Sequence, residues 1–227
     1  MNISRSTKVQ VGVLALLALG VVVLIGNVSD RYLQLVITQV LIWATVGLAW
    51  NMIGGYGGQL SFGHAAFFGI GAFTVALGYE VAGVTPWLGL VAAAALGALS
   101  ALGIGAITFR LRGHYFALSM LSFSMALMYL SQWAGWQEVS LPMRKEDGWK
   151  VMQFDDPRVA TLLALVMVVA AAAVSMLIER SRFGLRLAAI KEDESAALAA
   201  GVRVKRNKLA ALCLSGGFTA LAGGVYA

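Results

Sequence analysis

The sequence predicts an all-α polytopic membrane protein with about seven transmembrane helices, one of them broken at a glycine-rich segment. Three observations predict it. The 227 residues are 59% hydrophobic and only 12% charged, with a mean hydropathy of +0.80, whereas a soluble domain of this length needs far more polar surface. Uncharged runs long enough to cross a bilayer recur along the chain. The charge that remains is gathered into short stretches between those runs, above all Glu179–Lys208. The net charge of +6 therefore reads as basic loops on the cytoplasmic side and not as a nucleic-acid surface. Cys213 is alone within an apolar run, which excludes a disulfide framework and a cysteine-based metal site.

The elements follow in order. Val9–Ser29 is 21 residues without a charge. It exceeds a signal-peptide core and no small-residue cleavage pattern follows, so it reads as a retained span. Tyr32–Tyr79 is 48 residues with His64 as its only ionisable group. At about 1.5 Å per residue it reaches roughly 70 Å, enough for two crossings of a ~30 Å core. Gly54-Gly55-Tyr56-Gly57-Gly58 interrupts it near the middle. Val81–Phe109, Gly113–Gln137, Val159–Ile178 and Leu209–Ala227 supply the remaining spans. The last run stops at Tyr226-Ala227 with no polar flank, so the reading expects a C-terminally truncated chain. All of 1–227 reads as one transmembrane domain with loops at 134–158 and 179–208.

Orientation follows from the basic residues. With the N-terminus inside, Arg5, Lys8, Arg110, Arg112 and eight in the 179–208 loop are cytoplasmic, twelve in all, against five outside: Arg31, Arg144, Lys145, Lys150 and Arg158. That asymmetry places the 179–208 loop in the cytoplasm; if Tyr32–Tyr79 crosses only once, around a re-entrant kink, the N-terminus is outside and the loop can still be cytoplasmic. Within it, Ser195–Ala200 followed by Gly201 predicts a short helix with a glycine stop, opened by Glu192, Asp193 and Glu194 at its positive end.

Two segments carry candidate chemistry. The first is Asn51–Thr74, NMIGGYGGQLSFGHAAFFGIGAFT. A phosphate-cradling loop requires Gly-Lys-Ser/Thr after its glycines, and Gln59-Leu60-Ser61 stands there instead, so no nucleotide site is predicted. Unwound backbone at membrane depth is tolerated where it is buried in protein or lines a cavity. Asn51, Gly55, Gly57, Gly58, Gln59, Ser61 and His64 are thus the candidate translocation path. Small-xxx-small pairs at Ala65/Gly69, Gly97/Ala101 and Ala220/Gly224 predict close helix contacts. His64 reads as a packing or hydrogen-bonding group rather than a proton carrier. No Asp, Glu, Lys or Arg lies well inside a span, and proton-driven carriers use such groups, so the energy for transport is expected from elsewhere. The second segment is the 179–208 loop as a docking element. The outer loop carries Trp133, Trp136 and Trp149 as interfacial anchors, and Arg144-Lys145-Glu146-Asp147 as a charged cluster open to an external partner.

At these residues the chain resembles the LivM-type permeases of branched-chain amino-acid ABC transporters, in the LivH/LivM permease family. Asn51–Thr74 is similar to their GYxGQLSxGHAAFFGIGAY stretch, Leu111–Leu118 to LRGxYFAL, Phe183–Gly201 to RFGRxLxAIREDExAAxxxG, and Leu221–Ala227 to LAGALYA. Leu185 departs from the usual basic or polar residue. The outer loop lacks the Gly-rich TGGxxGL pattern, and the family continues through further spans after the last motif.

The resemblance implies a non-enzymatic permease subunit of the bacterial inner membrane that binds no cofactor or metal itself. Its implied partners are a homologous LivH-type permease, two cytoplasmic ATPases using ATP and Mg, and a periplasmic protein delivering leucine, isoleucine or valine. It assigns Glu192, Asp193, Glu194, Ala196, Ala197 and Gly201 to the ATPase-coupling loop. The alternatives are a related importer for urea or short amides and, in a different class, an ATP-independent facilitator. A facilitator has no ATPase for such a loop to engage.

Overall fold

In hydrocarbon every backbone N–H and C=O must be satisfied within its own segment, so each apolar run is expected to close on itself as a helix. The computed structural model describes residues 3–111, 113–136 and 148–227, and among these there are only helices and their connections. The long helices are α1 (Ile3–Asn27), α2 (Arg31–Ile53), α3 (His64–Ala82), α4 (Pro86–Thr108), α5 (His114–Trp133) and α6 (Pro157–Arg180). The short α7 (Arg182–Glu192) and α8 (Glu194–Ala199) follow, and α9 (Val204–Tyr226) completes the set. Their limits have local causes. Asp30 and Asp156 cap α2 and α6 by accepting from the amides of Tyr32 and Arg158, each at 2.9 Å. Pro86 and Pro157 open α4 and α6, where the missing N–H would have no partner anyway.

Among the described residues, six helices are long and apolar enough to cross a bilayer: Val9–Asn27 of α1, then α2, α3, α4, α6 and α9. The expectation of about seven had included the run now seen as α5. That helix is 20 residues long but carries Ser119, Ser122, Ser124, Ser131 and Gln132, and length and composition do not place it with the other six. The last span also begins earlier than the uncharged run predicts. Val204–Lys208 is already helical, since Lys205 and Arg206 are exposed while the buried Lys208 is neutralised by Glu194.

Helix α9 is the hub. Over half of its bilayer-length window is buried, against 6% for α1. It packs on α2, α3 and α4, while α6 lies against α2 and α1 against α6. The register follows from individual contacts. Gly97 and Gly105 of α4 meet Gly216/Ala220 and Leu209/Leu212 of α9, so these two helices are antiparallel. Gly71 and Val75 of α3 meet Ala220 and Gly224, so α3 runs parallel to α9. Thr38 and Thr161 share a hydrogen bond near the start of both α2 and α6 (2.8 Å), and Tyr56 and Ser175 share one near their far ends (3.2 Å). Small residues let these backbones approach, as expected for Gly97/Ala101 and Ala220/Gly224. The Ala65/Gly69 pair differs: a Cβ on Gly69 would meet nothing, and the two line an open groove between α3 and α5. The large exposed side chains Leu16, Val91, Ile107 and Leu177 lie on the outward helix faces, as in a protein solvated by lipid.

Candidate functional site

The 179–208 segment is a structured helix pair. Ser181 caps α7 by accepting from the Gly184 amide at 3.1 Å, and Leu187 and Ile190 turn its apolar side inward. Asp193 both ends α7 and opens α8. Its carboxylate accepts from the Ser195 and Ala196 amides (2.8 and 3.1 Å) and from the Ser195 hydroxyl (2.6 Å). The Ser195 hydroxyl, then the two amides, hold its carboxyl below the ordinary carboxylate range, so the cap is ionised and intact well below neutral pH. Gly201 stops α8 at φ 83°. Its N–H donates to Leu198 O and that of Val202 to Ala197 O, each at 3.0 Å, the paired bonds of a Schellman motif. Ala197 is buried with Ile190, Val202 and Val204, whereas Glu192 and Ala196 are exposed. The short helix expected over Ser195–Ala200 is therefore present, one residue earlier; α7, which precedes it, was not anticipated.

Two lysines tie this unit to the long helices, and neither stood out among the eight cations of the sequence. Lys208 Nζ donates to Glu194 at 2.6 Å from a side chain only 7% exposed. It lies 6.0 Å from the centre of the Phe109 ring. Replacing Glu194 by glutamine leaves a buried ammonium without its counter-charge, at a cost of about 1–2 kcal/mol. At roughly 2–4 °C per kcal/mol, the melting temperature should fall by several degrees. Combining it with Lys208→Met should restore most of the loss, because the buried charge is then gone. Thermal unfolding in detergent measures both.

Lys191, at the end of α7, donates to the carbonyl of Gly55 at 3.0 Å, and its stem fills the space where a Cβ on Gly58 would sit. The glycine-rich segment is thus a reversal resting on α7. Helix α2 ends at Ile53, residues 54–57 turn, and Gly58 adopts φ 65°. The chain then returns without helical structure, and α3 starts level with Ser215, eleven residues into α9 and so about 17 Å along its axis. The unwound residues 59–63 make that return. Gly55 and Gly57 permit the tight turn: a Cβ on Gly55 would overlap the Asn51 side chain, and one on Gly57 the Ile53 carbonyl oxygen, at 2.8 Å.

The polar residues of this segment divide into two groups. Asn51 and Gln59 are half-buried near the turn, and Gln59 donates to Gly57 O at 3.4 Å. Ser61 and His64 are buried. The Ser61 carbonyl accepts from Trp50 Nε1 at 3.0 Å. His64 Nε2 lies 2.6 Å from Ser215 Oγ, which donates onward to the Ala49 carbonyl at 2.6 Å. With the serine proton committed to Ala49, Nε2 is the donor to Ser215, and α2, α3 and α9 are stitched together at one point. The charged cluster Arg144-Lys145-Glu146-Asp147, and Arg112, lie outside the described residues. Trp149 accepts through its carbonyl from Trp87 Nε1 at 2.7 Å.

This architecture defines a multi-pass helical membrane protein in which one charged segment forms a helix pair linked to the long helices. The chain belongs to the family described as branched-chain amino acid transport system / permease component, which it matches over residues 32–227. Among curated proteins it is similar to the high-affinity branched-chain amino acid transport system permease protein LivM of Escherichia coli (strain K12). The two are 29% identical over 84% of this chain and 51% of that protein, and the figures for LivM of Salmonella typhimurium are the same. It is also 27% identical to the nucleoside ABC transporter permease protein NupC of Lactococcus lactis subsp. cremoris, over 86% of this chain and 68% of that protein. The chain thus spans about half the length of the LivM proteins it matches. No solved structure matches it.

Proposed function

We propose that this chain acts as the membrane-spanning permease subunit of an ATP-driven importer for branched-chain amino acids in a bacterial inner membrane, with its N-terminus and the α7–α8 unit in the cytoplasm. The observation that carries this reading is the α7–α8 unit itself. It is capped at Asp193, stopped at Gly201, open at Ala196 and Glu192, and fastened to the bundle through Lys191 and Lys208. Such a unit is suited to receive movement from a separate protein and pass it to the crossing helices. In this reading a homologous LivH-type permease completes the pore. Two ATPases that use ATP and Mg engage α8, and a periplasmic binding protein delivers the solute; the chain itself binds no cofactor. Asn51, Gln59 and the backbone of Gly55, Gly57 and Gly58 form the mouth of the path, and Ser61 and His64 hold its wall from behind.

The solute assignment rests on the LivM relatives. A nucleoside is the second reading, favoured by the similarity to NupC, with urea or a short amide behind it. The test places Ala196→Glu, on an exposed position, and Gly201→Val, at a left-handed position that costs a β-branched residue about 1–2 kcal/mol, in the assembled transporter. Membrane insertion should be intact and leucine uptake several-fold lower, with ATP hydrolysis retained. Unchanged uptake in both variants would sink the coupling assignment. Uptake of a nucleoside but not leucine by the wild type would move the solute to the second reading.

A further inference from the structure

A cleft of about 710 Å³ lies between α7 and the start of α9, lined in part by the α8 stop at Gly201 but by neither Lys191 nor Lys208. Its walls include Phe183 and Arg186 of α7, Arg203 at the head of α9, and Arg206, Asn207 and Ala210 of α9. The three guanidinium groups are exposed, and no carboxylate lines this cleft. Among the described residues none of the three is held by a hydrogen bond or ion pair. The first turn of α9 has no acidic residue and no side-chain cap, so its partial positive charge adds to theirs.

Arg203 and Arg206 also border the adjoining cleft, which contains Asp193 and Glu194. Those carboxylates are already engaged, one by the amides of α8 and the other by Lys208. Three like charges facing one concavity repel each other, and an anion placed among them relieves that repulsion. Guanidinium groups suit a phosphate, whose oxygens they can meet in pairs. The cleft continues from the arginines onto apolar surface at Phe183 and Ala210, and Ala210 belongs to a helix that crosses the bilayer. A soluble anion uses only the first part of such a site; an amphiphile uses both.

We propose that the Arg186–Arg203–Arg206 cleft binds the phosphate headgroup of an anionic phospholipid, with the glycerol end lying on Phe183 and Ala210. A basic pocket between helices at a membrane face is a recurrent headgroup site. The test titrates the full chain in mild detergent with phosphatidylglycerol or phosphatidylcholine and reads bound lipid by native mass spectrometry. Phosphatidylglycerol should be retained at least about tenfold better, and each of R186Q, R203Q and R206Q should lower its retention about fivefold. K205Q removes the same charge from a position outside the cleft and should change little. Helicity measured by circular dichroism identifies any variant that misfolds, and the single variants keep the test open if the triple one does.

Wild-type retention in R186Q/R203Q/R206Q, or an equal loss in K205Q, overturns the site. Displacement of the lipid by millimolar inorganic phosphate overturns the lipid in favour of a soluble anion. Loss of a co-purifying ATPase with lipid retention unchanged makes the cleft a protein-docking patch and equally overturns it.

Discussion

Replacing Gly71 by valine is expected to leave almost no folded protein. In lipid, crossing helices gain little from hiding apolar surface from one another, so their association rests on close packing. At the α3–α9 contact a Cβ on Gly71 would overlap the Ala220 carbonyl oxygen, and on the other helix a Cβ on Gly223 would overlap that of Phe68. These are backbone atoms, so no rotamer change relieves the clash; one whole helix must shift. Overpacking against adaptable side chains already costs about 1–3 kcal/mol, and the rigid case lies at or above the top of that range. The shift would also disturb the His64–Ser215–Ala49 chain, which links three helices a few residues away. Gly69 supplies the internal control, since it is two residues along α3 and open space surrounds its Cβ position. Size-exclusion chromatography of detergent extracts should give G71V less than about a tenth of the wild-type monodisperse peak, because displacing a whole helix removes most of a marginal stability of about 5 kcal/mol, with G69A close to normal. Comparable peaks for both glycine variants would refute the α3–α9 register.

Much of this fold was legible because hydrocarbon imposes few solutions. Long uncharged runs became helices, and the Gly97/Ala101 and Ala220/Gly224 spacing found the α4–α9 contact. The same spacing at Ala65/Gly69 gave no helix contact, since a small stripe records a possible approach but not which neighbour makes it. Helix α7 was hidden because its apolar residues Leu187 and Ile190 are spread among Arg182, Arg186 and Lys191, and a charge-free criterion passes over such an amphipathic segment. The cap and stop of α8 were readable because Asp193 and Gly201 act within a few residues of themselves. Lys191 and Lys208 were not, because their partners lie 136 and 14 residues away and eight cations in one loop look equivalent until tertiary register distinguishes them. The glycine segment was seen as a break, but its return path beside α9 depends on where α3 starts, which no local signal states.

Lys191 therefore carries the sharpest consequence for transport. If α8 receives movement from an ATPase, α7 passes it into the bundle through Leu187, which packs in the main core with Met52 and Ile53, and through the polar ties of Lys191 and Lys208, of which Lys191 donates to the α2–α3 reversal itself. Its ammonium holds the Gly55 carbonyl, and its stem occupies the hollow left by Gly58. A hydrogen bond to a charged group contributes about 1.5–3 kcal/mol, and partial exposure places this one at the low end. Losing about 1.4 kcal/mol of coupling between two states corresponds to a tenfold change in their ratio. K191A should therefore reduce uptake by the assembled transporter about tenfold while the ATPases continue to turn over. G58V should do the same from the other side, because a Cβ at φ 65° is strained and displaces the lysine stem. Helix α8 keeps its own cap and stop in both variants, so binding of the ATPases should persist. That separates this outcome from A196E, in which the docking face itself is altered. K205A removes a cation from the same face without touching the reversal, and its uptake should stay near wild type. If K191A and G58V transport normally, the Lys191 contact is only a support for the turn, and movement reaches the bundle through the Leu187 packing or through Lys208 and the start of α9.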